Sequence, residues 1–188
     1  MPFHFEFSVD HVEAITVPYC SITDSIRRNR GFIDLRREPE RAAEIEECRE
    51  SHALMDFIKR AAAIDSPIFT LGCDLGVHTE PVGVSRRRRE VAGGYVQISR
   101  VDYYATNTDD YAALANTIVD GLRARCASDN WRISLLGKWV NFQFEDEATG
   151  IYPSLWIWFY AAAADRAEAL KSRERLISSL SDVLPCRK

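Results

Sequence analysis

Residues 155–160, with the sequence LWIWFY, constrain the fold of this chain more than any other stretch. Leucine, isoleucine and phenylalanine alternate with two tryptophans and a tyrosine, so a strand here carries bulky apolar side chains on both faces. Strands that are apolar on both faces belong in the middle of a sheet, because an edge or a solvated face would expose them. We therefore expect this strand to be central, with other elements paired to it or lying across it.

The spacing of apolar residues predicts the remaining elements. Alternation with a period of two predicts strands over residues 3–9, 69–78, 95–104 and 131–145. Apolar residues at helical spacing, together with capping and stop signals, predict helices over residues 39–63, 108–126 and 165–184, and a short basic helix over 23–30 that ends at Gly31. The order is β, α, β, β, α, β, β, α, with an irregular segment after the first strand.

This order predicts an α+β fold in which a mostly antiparallel sheet carries its helices on one face, as in a ferredoxin-like or related sandwich. At 188 residues the chain suits one domain, 1–188. Within it, residues 1–37 form an N-terminal strand and an irregular segment that packs on the main sheet, and residues 38–188 form the α/β core.

Three local irregularities refine the prediction. The apolar phase changes near Ser99-Arg100 and again near Gly137, and each change indicates a β-bulge. In the strand that starts at Phe69, one face carries Gly72, Asp74, Gly76 and His78, and the lack of bulk at the two glycines predicts a close approach by another part of the chain. Residues 79–94 read as a long loop, either functional or mobile, with four consecutive arginines, Arg86–Arg89.

Composition narrows the choice of partners and compartment. The formal net charge of −4 disfavours nucleic acid or an anionic membrane as the main partner. The longest apolar run, residues 155–164, is too short to cross a bilayer. The five cysteines are odd in number and form no C-x-x-C pair, which is typical of a reduced, cytoplasmic protein.

If both bulges form, six aromatic residues gather on the sheet face away from the helices. They are Tyr95, Tyr104, Trp139, Trp156, Trp158 and Tyr160. Tryptophan and tyrosine dominate interaction hot spots, so this face could bind a partner or a ligand. The alternative is that the N-terminal strand and residues 11–37 cover it as a second core layer, because large exposed aromatic patches are rare in monomers.

Catalytic and metal chemistry receive little support. Cys48, His52, Cys73 and His78 have zinc-like spacing, but Cys73 and His78 lie five positions apart on a strand and point to opposite faces. Asp74 and His78 share a face but lie about 13 Å apart on an extended strand. The chain also lacks a P-loop and the common dinucleotide, zincin and nucleophile-elbow motifs. We predict no metal and no cofactor, and the sequence does not favour an enzyme.

The first functional hypothesis is a cytoplasmic protein-binding module, an inhibitor or immunity-type protein that neutralises a basic partner. Its contact residues would come from three places: the aromatic face, the polar face of the strand at 69–78, and the acidic loop at 145–147. They are Trp139, Trp156, Trp158, Tyr104, Asp74, His78, Glu145, Asp146 and Glu147. The acidity and the absence of a catalytic motif favour this interpretation, and it leaves room for a homodimer.

The alternative is a small-molecule-binding protein or enzyme with a pocket between the sheet and the N-terminal segment. Asp74 and His78 would supply polar groups there, and Gly72 and Gly76 would make room. A third hypothesis, RNA or phosphate binding through Arg86–Arg89, fits the charge balance least well.

Overall fold

The computed structural model of the chain describes residues 3–5, 10–22, 24, 29–81, 88–125 and 130–184. The strands are β1 (Phe3–Phe5), β2 (Asp10–Val17), β3 (Ile68–Pro81), β4 (Arg88–Arg100), β5 (Trp131–Phe142) and β6 (Gly150–Ala163). The helices are α1 (Glu46–Glu50), α2 (His52–Ala61), α3 (Thr108–Arg125) and α4 (Arg166–Val183), and short 3-10 turns occupy Pro39–Glu44 and Tyr103–Ala105.

The strands form one curled, half-barrel sheet in the order β1-β5-β6-β4-β3, and β2, the sixth strand, also pairs with β5. β6 lies between β4 and β5 and is antiparallel to both, so the central position predicted for residues 155–160 is confirmed. β1 and β2 follow one another along the outer edge of β5, and both run parallel to it. The α+β class is therefore confirmed, whereas the sheet is mixed and curled where a mostly antiparallel, ferredoxin-like sandwich was predicted.

The helices cover one face of the sheet and enclose the larger core. Ile157 and Phe159 of β6 are fully buried there, together with Leu176 and Leu180 of α4 and Ile118 of α3. Alternate residues of β6 reach this core because successive side chains of a strand point to opposite faces. Each completely buried side chain of this size stabilises the fold by about 1.5–3 kcal/mol relative to exposure.

A second, smaller core lies on the opposite face, at one end of the sheet. It consists of Val17, Phe69, Leu71, Tyr103, Val140, Phe142 and Phe144, with Tyr19, Phe32 and Tyr152 packed against it. Tyr19 and Phe32, which follow β2, thus cover part of this face. The N-terminal strand, which the alternative of a second core layer placed over this face, lies instead in the sheet beside β5. The curl of the sheet brings Phe69 of β3 within 6.1 Å of Phe142 of β5, measured between ring centroids.

Arg36 packs against the outer side of this second core. Its guanidinium lies 4.3 Å from the ring centroid of Phe69 and 4.4 Å from that of Phe144. It also donates hydrogen bonds to Asp34 and, at 2.9 Å, to Oε2 of Glu147, which accepts a further hydrogen bond from the Tyr103 hydroxyl. A planar guanidinium can make all these contacts at once, because it combines flat faces with several fixed donors.

The bulges predicted near Gly137 and near Ser99-Arg100 are absent. β5 pairs with β6 from Trp131 to Phe142 without any shift in register. Ser99 and Arg100 of β4 pair in regular register with Phe69 and Ile68 of β3. The apolar phase of β5 changes because its covered face changes. Trp131, Ile133 and Leu135 pack under the helices, whereas Val140 and Phe142 pack in the second core on the other face.

A bulge does occur in β3, between Thr70 and Gly72. Phe69 pairs with Ser99 and Gly72 with Gln97, so one extra residue of β3 is accommodated at Leu71. Phe69 therefore shares a face with Gly72, and the strict alternation assumed for this strand was wrong. Sequence alternation could not reveal this bulge, because both Phe69 and Leu71 find apolar cover in the second core.

Two other boundaries differ from prediction. The helix predicted over 39–63 is divided at Ile45 and Ser51, where the backbone is extended, and the Ser51 hydroxyl caps α2 by accepting a hydrogen bond from the Leu54 amide. The break leaves His52 exposed while Cys48 is buried. The loop predicted over 79–94 is largely strand, because β3 continues to Pro81 and β4 begins at Arg88.

Some predictions fall outside the described residues. Most of the helix predicted over 23–30 does so, although its flanks Ile22 and Asn29 form an antiparallel bridge. Arg86 and Arg87 also lie outside. Within the part of the chain that is described, no helix is both long and apolar enough to cross a membrane. The assignment of 1–188 to a single domain stays a prediction.

Candidate functional site

Four of the six predicted aromatic residues share the sheet face opposite the helices. Tyr95 of β4 pairs directly with Trp158 of β6, and Gly93 pairs with Tyr160, so these side chains point the same way as Trp156. The rings form a connected group: the Tyr95 centroid lies 4.7 Å from that of Trp156 and 4.8 Å from that of Trp158. All four side chains are half-buried.

Trp139 and Tyr104 do not join this group. Trp139 pairs with Pro153 in the same unbroken register that pairs Leu135 with Ile157, which places it on the helix side of the sheet. The missing bulge at Gly137 is the reason, since a one-residue shift would have reversed its direction. Tyr104 lies in the 3-10 turn after β4, is 61% exposed, and contacts the ring of Tyr103.

The faces of these aromatic rings contact one another and two cationic side chains. Tyr95 stacks on the Trp156 indole with an interplanar angle of 14°, and the Lys138 ammonium lies 4.2 Å from the centroid of the same indole. Arg132 lies 4.9 Å from the ring centroid of Tyr160. A ligand reaching this face would therefore meet ring edges and aliphatic stems rather than an open stacking surface.

A cavity of about 960 Å³ opens between the aromatic group and the N-terminal segment. Tyr95, Gln97 and Trp156 line its sheet side, and residues 70–74 of β3 form the adjoining wall. Residues 29–35 and the region of α1 close the opposite side. The cavity lies where the alternative hypothesis placed a pocket, and its size is within the range of small-molecule sites.

The apolar lining is extensive. It includes Ile15, Tyr19, Ile22, Phe32, Ile33, Leu35, Ile45, Ile58 and Leu71. The bulge in β3 contributes directly, because it turns Leu71 and Gly72 towards the same side. A Cβ atom at Gly72 would lie 3.7 Å from the Tyr19 hydroxyl, so the close approach predicted for this glycine is made by Tyr19. No described atom lies within 4 Å of a Cβ built on Gly76.

Glu47 is the half-buried carboxylate of this cavity. Burial raises its pKa above the usual value, and the negative charge of Asp74 contributes in the same direction. Among the described residues it forms no ion pair. A carboxylate in this position is poorly compensated when charged, and a cation entering the cavity would compensate it.

The arginines that line the cavity are engaged elsewhere. Arg30 pairs with Glu46 at 2.8 Å. Arg41 lies between Glu38 and Glu44, at 2.8 Å and 3.0 Å respectively. Arg49, the third, donates to the backbone oxygen of Ala43. The carboxylates of Glu47 and Asp74 are thus the two acidic groups of the cavity that no described cation pairs with.

The thiols and phenols nearby are poor nucleophiles. Burial raises the pKa of the Cys73 thiol well above its usual value, and the charge of Glu47 raises it further. Burial likewise raises the pKa of Cys48 to about 12 and that of Tyr95 to about 12. These groups stay protonated at neutral pH, so they can donate hydrogen bonds but supply little thiolate or phenolate.

Asp74 and His78 share a face, as predicted, but the structure does not bring them together at one site. Asp74 is exposed and lines the cavity. His78 is exposed further along β3, where its ring centroid lies 6.4 Å from that of Tyr160. Among the described residues, no three or more potential metal-binding side chains lie together, and Cys48 and His52 belong to no such group.

The acidic loop after β5 is largely neutralised within the chain. Glu147 pairs with Arg36 at 2.9 Å and with Arg37 at 3.5 Å, and Arg37 also approaches Asp146 at 3.8 Å. Glu145 is exposed, without an ion pair to any described residue. Two of the three carboxylates proposed to attract a basic partner therefore have cationic neighbours already.

Sequence reasoning overlooked Glu47 and Tyr19. Glu47 looked like one of several acidic residues at the start of a long helix, where a carboxylate interacts favourably with the positive end of the helix dipole. The helix break at Ser51 and the bulge at Leu71, neither visible in the alternation of residues, together place it at the cavity.

Comparisons with protein-family models, with curated proteins and with solved structures found no match to this chain.

Proposed function

We propose that the protein binds a small molecule that carries a cationic nitrogen, in the cavity between the sheet and the N-terminal segment. The observation that carries this proposal is Glu47, a half-buried carboxylate on the cavity wall without a cationic partner among the described residues. Asp74 lies close enough for its charge to raise the pKa of Glu47, so the cavity presents two negative groups to one ligand.

The physical argument rests on desolvation. A carboxylate removed from water loses hydration, and an ammonium or guanidinium group restores much of that loss through charge-assisted hydrogen bonds. Tyr19, Phe32 and Leu35 belong to the apolar wall that would hold the body of the ligand. Binding of this kind requires no metal and no cofactor, and it commits the site to no reaction.

The test uses probe pairs that differ in charge but hardly in shape: benzylamine against benzyl alcohol, and tryptamine against tryptophol. Isothermal titration calorimetry at pH 7.5 should show each amine binding at least about tenfold more tightly than its alcohol, the gain expected of one charge-assisted hydrogen bond. Glu47→Gln should abolish this preference and Asp74→Asn should reduce it. Glu145→Gln removes an exposed carboxylate outside the cavity and serves as the matched control.

Equal affinities for amine and alcohol in the unaltered protein would exclude recognition of a cation by this cavity. Loss of the preference in Glu145→Gln as well as in Glu47→Gln would point to a general effect of net charge instead.

A basic protein partner is the second candidate. The supporting observation is that Asp74 is exposed beside the half-buried Tyr95 and Trp158, so a lysine or arginine of another protein could reach it. An inhibitor or immunity-type protein would use such a contact. A partner captured from the protein's own cell lysate in the presence of nuclease should then be lost with Asp74→Lys and retained with Asp146→Lys, whose native carboxylate faces Arg37.

A further inference from the structure

The outer edge of β3 carries a row of backbone groups that the sheet leaves unpaired. β3 is the last strand of the sheet, and among the described residues the backbone of residues 72–79 pairs only with β4. Tyr19 covers the start of this edge, where its hydroxyl donates to the Leu71 oxygen at 3.3 Å. Beyond that point the edge has no described cover, and such edges readily accept another strand.

The side chains of this edge are complementary to themselves. If two copies of β3 pair antiparallel with Gly76 opposite Gly76, Asp74 of each copy lies opposite His78 of the other. Leu75 of each copy then lies opposite Val77 of the other. The first pair joins a carboxylate to an imidazole on the open face, twice, and the second joins two half-buried apolar side chains on the helix side.

We propose that this edge is a homodimer interface, in which β3 pairs antiparallel with β3 of a second copy about a two-fold axis at Gly76. Two-fold symmetry requires a self-complementary patch, which the Asp74–His78 spacing supplies. The pairing would extend the sheet across both copies, with the helices of both on the same side. A contact limited to about seven residues of each strand is small, so the dimer forms reversibly and its population depends on concentration.

The glycine at the axis provides a clean test. No atom of the described residues lies within 4 Å of a Cβ built on Gly76, so this part of the chain accepts a side chain there without strain. Gly76→Ala should leave dimerisation intact. Gly76→Glu would place two carboxylates directly opposite each other at the axis, between the Asp74 and His78 side chains of both copies, and should weaken the dimer at least about tenfold.

Sedimentation velocity over a range of protein concentrations measures this directly, and circular dichroism checks that both variants are folded. The unaltered protein and Gly76→Ala should show a monomer–dimer equilibrium, while Gly76→Glu should sediment as a monomer. The proposal is overturned if the unaltered protein stays monomeric up to a few hundred micromolar, roughly the weakest association expected of so small an interface. An equally strong dimer in Gly76→Glu also overturns it.

Oxidative cross-linking tests the register. In the proposed pairing the two Cα atoms at position 76 lie about 4.5–5.5 Å apart, which suits a disulfide. The two positions 78 lie roughly 13 Å apart along the strands, too far for one. Cys20 is an exposed free thiol and is replaced by serine in every protein compared. In that background Gly76→Cys should therefore give a covalent dimer that neither His78→Cys nor the Cys20→Ser protein gives. Equal cross-linking of both variants would exclude this register.

Discussion

Glu47 illustrates, at the scale of one residue, how surroundings determine what a side chain does. On α1 it is one acidic residue among several, and nothing in its local sequence separates it from Glu46, which is exposed and paired with Arg30. Burial against the cavity wall raises the pKa of Glu47 and leaves it without a cation among the described residues. The same placement that makes it a candidate for binding makes it unfavourable for folding.

This leads to a prediction about pH. Because the folded-state pKa of Glu47 is raised, the folded protein favours the protonated, neutral carboxyl group. The fold is therefore more stable below the unfolded-state pKa of about 4.3, and this extra stability is lost as the pH rises through the folded-state pKa. At pH 7.5 Glu47→Gln should therefore increase the free energy of unfolding, by on the order of a few tenths of a kcal/mol after solvent screening. The gain should disappear near pH 4.

Urea denaturation of both proteins at pH 4, 6 and 7.5 measures the difference. Glu46→Gln is the control, since it removes an exposed, paired carboxylate two thirds of whose surface is in contact with water. A variant Glu47→Gln that is less stable than the unaltered protein at pH 7.5 would contradict the assignment of Glu47 as an uncompensated, half-buried carboxylate.

At the scale of elements, the β3–β4 hairpin contains glycines with opposite requirements. A Cβ atom at Gly93 would lie 2.5 Å from the Phe159 backbone oxygen, and one at Gly94 would overlap the Asp74 backbone oxygen. These glycines let β4 lie close between its two neighbours. At Gly76, on the neighbouring strand, a Cβ atom would have no described atom within 4 Å. Glycine is therefore required in β4 and not at that position of β3.

Alanine substitutions should separate the two cases. Gly94→Ala should destabilise the fold by about 2–4 kcal/mol, because the backbone oxygen of Asp74 cannot move away without breaking the pairing of β3 with β4. Gly76→Ala should be neutral or stabilising by up to about 1 kcal/mol, since it reduces the entropy of the unfolded chain. Thermal unfolding followed by circular dichroism compares them, and a similar loss in both would argue against the close packing of β4.

At the scale of the whole molecule, one sheet serves two cores on its two faces. Ile157 and Leu176 belong to the core under the helices, and Phe142 belongs to the core that Val17, Tyr19 and Phe32 close. β5 passes continuously from one core to the other, without a bulge. Because the same rigid strand supports both, we expect the two cores to unfold together.

Truncation of each core tests this cooperativity. Leu176→Ala should lower the free energy of unfolding by about 2–5 kcal/mol, and Phe142→Leu by about 1–2 kcal/mol. In each variant tryptophan fluorescence and far-ultraviolet circular dichroism should report one shared transition in urea with an unchanged slope. Separate transitions for the two probes in Phe142→Leu would show that the smaller core unfolds on its own.

The sequence by itself determined the central strand, most element positions and the α+β class. Local spacing is sufficient for these features: residues 155–160 are apolar on both faces, and α4 begins at its predicted cap, where Asp165 accepts a hydrogen bond from the Glu168 amide at 2.9 Å. It also placed Asp74 and Trp156 among the candidate residues, and both line the cavity.

Only the tertiary structure decided which face is covered at each point along a strand. An apolar phase change looks the same whether the chain bulges or the cover moves to the other face, and β5 shows the second case. That distinction directs Trp139 away from Trp156. The cavity likewise depends on contacts between distant segments, since α1, the bulge at Leu71 and residues 29–35 meet only after the sheet has curled. Periodicity reports the neighbours of a residue along the chain, and the site is made from neighbours in space.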